Sequence, residues 1–203
     1  MLEKLQYNAY QWQLRGDFKI IAFLQGLQSG YTRHSCFLCL WNGRDDVNHF
    51  LKSEWPMRTT SIPGIDNVVN PQLVPAQKIL MPPLHIKLGL VKQFFKSLDK
   101  DGDVLRETKK AFPYLSRAKI EAGVFTGPQI RQLFKNKDIE EAMSLLQLKA
   151  WISLQEVVAN FLGNHRSDDY KSIISKMIDS FHAIHCRMSL KLHMLHSYLD
   201  FFQ

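Results

Sequence analysis

A chain of 203 residues, 45% apolar and 22% charged, can bury a substantial core and does not have the composition of a disordered polyampholyte. No apolar run reaches the ~20 residues a bilayer span requires, and the charged start MLEKLQYNAY lacks the apolar stretch of a signal peptide, so neither is expected. A net charge of +7 leaves polyanionic partners open, although no basic run is dense enough to be a nucleic-acid arm.

In chain order, Tyr10, Trp12 and Leu14 alternate with polar residues, which predicts a strand with one buried face. Gly16-Asp17 ends it, and a helix follows whose apolar positions Ile20, Phe23, Leu24 and Leu27 share a face. Residues 40–84 hold six of the eight prolines, so helices cannot run through them and an irregular excursion is expected. A loop of that length calls for a tether, and a metal ion is one.

From His85 the pattern turns helical for about a hundred residues. Ile86, Leu90, Val91, Phe94 and Phe95 form one stripe, and Pro128 suits a helix first turn. Residues 138–162 read as one long helix stopped by Gly163, and a further helix is expected over 168–185. Met188, Leu190, Leu192 and Met194 then alternate with polar residues, which predicts a second strand. The expected organisation is a strand-helix unit with a CxxC (1–39), an irregular loop (40–84), a helical block (85–186) and a returning strand with a truncated end (187–203). These segments are expected to share one structural domain.

Cys36 and Cys39 are the best metal candidates. Thiolates in a CxxC can hold zinc from a tight turn, provided a second ligand pair exists. Three cysteines make no disulfide framework, which suits a reducing, nuclear or cytoplasmic setting. His34, His49 and His85 are the donors available in or beside the excursion. Two small half-buried cysteines in a reduced protein are the plainer account. A redox pair is disfavoured because no strand-CxxC-helix pattern is evident. Asp17 reads either as a helix N-cap or as a catalytic carboxylate, and alone it favours the cap. His182/His185 and His193/His196 form HxxH pairs without the Glu of a zinc protease, so structural histidines are expected. Asp99-Lys-Asp-Gly-Asp103 misplaces the glycine of a calcium loop and puts Lys110 where the bidentate Glu belongs.

Taken together, GDFKIIAFLQGLQSGYTRHSCFLCLW, ILMPPLHIKLGLVKQFF, GVFTGPQIRQLF, NFLGNHR and MSLKLHMLHSYLDFF resemble transposon-derived invertebrate proteins related to CACTA-type cut-and-paste transposases. The resemblance implies an α+β, predominantly helical fold: a partial RNase H-like sheet interrupted by a large helical insertion. It implies that Asp17 matches the second acid of a DDE triad. Cys36, Cys39 and His85 would match a zinc knuckle, with His49 the weaker choice for a fourth ligand. The other two acids, which Mg²⁺ would require, have no counterpart here, so an inactive transposase fragment is the leading expectation. The alternatives are a zinc-stabilised helical protein-interaction module and nonspecific DNA binding through the basic surface of residues 51–137. DNA and a second copy of the chain are the partners left open, and no small-molecule substrate is indicated.

Overall fold

The structure is a computed structural model that describes residues 9, 10, 12–30 and 32–202. It is rich in helix. Among the described residues the one sheet is a parallel pair, β1 (Leu14–Arg15) and β2 (Ile79–Leu80), in the register Leu14 to Ile79 and Arg15 to Leu80. The predominantly helical α+β reading therefore holds. No helix of the described residues is long and apolar enough to cross a membrane.

Two compact units make up the chain. The first comprises Met1–Asp45, Glu54–Pro82 and Asp200–Gln203. The strand expected around Tyr10 to Leu14 shrinks to β1, and Gln11 lies outside the described residues. Tyr10 and Trp12 stack on each other at 5.8 Å and stay exposed, so their alternation marks no buried face. Helix α1 (Phe18–Leu24) begins where the Asp17 carboxylate accepts from the Lys19 and Ile20 amides at 2.8 and 2.9 Å. Its buried side is also a correction. Ile21 is buried while Ile20 and Phe23 are 50% and 63% exposed. In a seven-residue helix the chain that folds back on it outweighs its own periodicity.

That returning chain is residues 67–74. Leu73 N–H donates to the Leu24 carbonyl, Val69 N–H to that of Gly26, and the Gln25 amide to that of Val74. Gly26 is required at this crossing. Its φ is +67°, and an added Cβ would lie 2.0 Å from the Asn70 carbonyl oxygen. The proline-rich excursion is irregular, as expected, apart from a 3₁₀ turn at Ala76–Lys78 and β2. It is pinned by backbone bonds at both ends of its course, with antiparallel bridges Cys39–Met57 and Leu27–Val68.

The second unit comprises Asp46–Ser53 and Pro83–Leu199. Its helices are α2 (Pro83–Ser97), α3 (Asp103–Ala111), α4 (Arg117–Glu121), α5 (Gly127–Leu133), α6 (Lys137–Glu141), α7 (Leu145–Asn160), α8 (Tyr170–Ala183) and α9 (Leu190–Ser197). The predicted α2 stripe is buried in full. Phe94, Phe95 and Phe134 surround Trp151, with ring centroids 4.9, 6.2 and 5.0 Å away. The long helix expected over 138–162 is two. Ser144 caps α7, and the Gln147 side chain accepts from the Ser144 amide at 2.9 Å.

The strand expected over 188–194 is helix α9, capped by the Ser189 hydroxyl accepting from the Leu192 amide. Leu192, His193, Met194 and Leu195 are all buried, so this helix is covered nearly all round and shows no amphipathic stripe. Its alternating pattern suited a strand equally well. It runs close to α2 at Gly89, where an added Cβ would sit 2.1 Å from the Lys191 Cδ.

Candidate metal centre

Cys36 and Cys39 lie in an irregular turn of the first unit, both fully buried. The Leu38 amide donates to Cys36 Sγ at 3.4 Å, which holds the turn tight. Burial pushes the Cys36 thiol well above its ordinary pKa, and its hydrogen bond with the Cys39 thiol adds to this. The turn is clamped by residues 56–58. Leu40 N–H donates to the Pro56 carbonyl at 2.8 Å, and Arg58 N–H to that of Leu38 at 3.0 Å.

The Arg58 side chain reaches over the same turn. Its Nε and Nη2 donate to the Cys36 carbonyl at 3.3 and 3.1 Å, Nη2 to that of His34 at 3.0 Å, and Nη1 to that of Asp66 at 3.0 Å. Burial lowers the Arg58 pKa, while Asp66 and then the two cysteines oppose that shift.

His193 sits on α9, 1% exposed, with its Nδ1 3.2 Å from the Ser197 hydroxyl one turn on. Within the first unit, Cys36 and Cys39 are the two thiols that one turn can offer to a single ion.

His49 and His85, the expected partners of the cysteines, belong to the second unit. His49 is buried with Nδ1 3.6 Å from an Asp46 carboxylate oxygen, and His85 is half-buried in the first turns of α2. His34 is engaged as well, with Nδ1 3.2 Å from the Leu40 carbonyl and Nε2 3.8 Å from Asp66. The remaining cysteine stands apart. Cys186 donates to the Gln93 carbonyl at 3.6 Å, and burial pushes its thiol up to about 12. Asp17 serves as the α1 cap, and among the described residues it joins no group of three metal donors.

The HxxH of His193 and His196 was expected on a strand, where residues three apart point to opposite faces. On a helix His193 and Ser197 share one face, four residues apart, and the hydroxyl can orient the ring.

Two family models match the chain, both described as domains of unknown function. DUF8703 covers residues 1–74 and DUF8704 covers residues 83–163. The second begins at Pro83, where α2 and the main segment of the second unit also begin. No curated protein and no solved structure gives a match.

Proposed function

We propose that this chain is a zinc-stabilised, predominantly helical module in which Cys36 and Cys39 hold the ion. One observation carries the reading: the two thiols share one tight turn, and both are fully buried. The donor chemistry fits. Thiolate suits zinc, whereas magnesium and calcium prefer carboxylate and carbonyl oxygens. Burial of both thiols argues for a structural ion, because a substrate has no approach to it.

Protein purified reduced and without chelator should carry about one zinc per chain, since structural zinc binding is coupled to folding. Cys36→Ser and Cys39→Ser should each lose it and melt at lower temperature. Elemental analysis that finds no zinc in the wild-type protein overturns the proposal.

The transposase resemblance supports a second reading, that of a transposon-derived DNA-binding piece. The observation in its favour is the placement of Asp17 directly after a β-strand and at the start of a helix. Against concentrated DNA affinity, several cations of residues 51–137 already have acidic partners. Arg117 pairs with Asp101 and Glu121, Arg106 with Asp103, and Lys110 with Glu107. Duplex DNA binding that weakens steeply with salt, through counterion release, is the expected result on this reading. An absence of binding at low salt removes it.

A further inference from the structure

We infer that Arg58 is a positioning residue for the metal centre, setting the geometry of the Cys36–Cys39 turn, an inference that rests on the zinc reading above. A CxxC turn offers two thiolates to one ion only if its backbone is held, because each Cβ follows the peptide planes on either side. Arg58 holds those planes twice over. Its amide binds the Leu38 carbonyl inside the turn, and its guanidinium binds the Cys36 and His34 carbonyls at the entry.

The same guanidinium binds the Asp66 carbonyl at 3.0 Å. Asp66 and Asn67 are both in the left-handed region, at φ +49° and +67°, which side-chain-bearing residues adopt at a cost in strain. Such a turn persists only where surrounding contacts over-determine it. Here Arg58 takes the Asp66 carbonyl, and the Asn67 side-chain oxygen accepts from the His34 amide at 2.8 Å. Two strained residues are thus tied to the segment leading into Cys36.

The chemistry requires arginine. Three carbonyls in different directions need the planar fork of a guanidinium, and an ammonium on a flexible stem cannot meet them together. A second role follows from charge. Two thiolates bring two negative charges into a buried turn, and Arg58 is a fixed cation against the Cys36 carbonyl.

The test uses the full chain with Co²⁺ as the spectroscopic probe and Zn²⁺ in competition, comparing wild type with Arg58→Lys and Arg58→Met. The wild-type protein should show a thiolate-to-cobalt charge-transfer band. Both variants should bind roughly 10–100-fold more weakly, as expected for loss of a supporting contact, with shifted ligand-field bands. The metal-induced gain in melting temperature should shrink in both. Unchanged affinity and spectrum overturn the inference and leave the zinc reading intact. Equal losses of melting temperature with and without metal, at unchanged affinity, overturn it too, because Arg58 then serves only the fold. Failure of both variants to fold, with or without metal, has the same meaning. If the wild-type protein shows no cobalt band, the zinc reading itself fails and takes this inference with it.

Discussion

At the scale of single residues, the histidines of α9 differ because of what each ring meets. His193 has Ser197 beside Nδ1 and the Tyr198 ring edge-on at 5.7 Å. His196 has a buried Nδ1 without a hydrogen-bond partner among the described residues. Burial lowers its pKa most, the neighbouring His193 lowers it further, and Asp179 opposes both. The folded state therefore releases the His196 proton more readily than the unfolded state, where the ordinary value is about 6.5. The linkage follows with a definite sign. Stability from this group is complete above about 6.5 and declines as pH falls through the lower folded-state value. Thermal melts from pH 8 down to 5 should show a falling midpoint, and His196→Gln should flatten part of that fall. Superimposable pH profiles for the two proteins would refute the assignment.

At the scale of elements, the second unit is organised on α7. Trp151 is fully buried against rings from α2 and the end of α5, and α7 packs against α8. Truncating so large a side chain loses its transfer free energy and leaves a cavity that the surrounding helices cannot fully close. Trp151→Ala should cost about 3–5 kcal/mol, read from urea unfolding with the slope held in common. A loss below about 1 kcal/mol would mean that the aromatic cluster is not the centre of this unit. Its indole N–H has no hydrogen-bond partner among the described residues, so packing rather than hydrogen bonding holds Trp151 in place.

At the scale of the whole molecule, the two units rely on different means of stabilisation. The second has long helices with apolar faces to bury. Among its described residues the first has one short α-helix and a two-residue strand pair, and it organises its proline-rich course with carbonyl-directed side chains such as Gln25 and Arg58. A unit with so little regular structure gains most from a metal tether, because the ion fixes donors that hydrophobic burial alone leaves loose.

The sequence by itself determined the features that depend on neighbours along the chain. The α2 stripe, Pro128 at the start of α5, the Asp17 cap, the proline-rich irregular course and the candidacy of Cys36 and Cys39 all follow from spacing of a few residues. Tertiary structure decided whatever depended on a surface arriving from elsewhere. The exposed side of α1 was set by residues 67–74 folding over Gly26, against the helix's own period. The state of residues 190–197 was set by burial on all sides, which erases the periodicity that separates helix from strand. Further donors beside the two thiols could not be chosen from the sequence, because ligand selection is a matter of distance in space and not of separation along the chain.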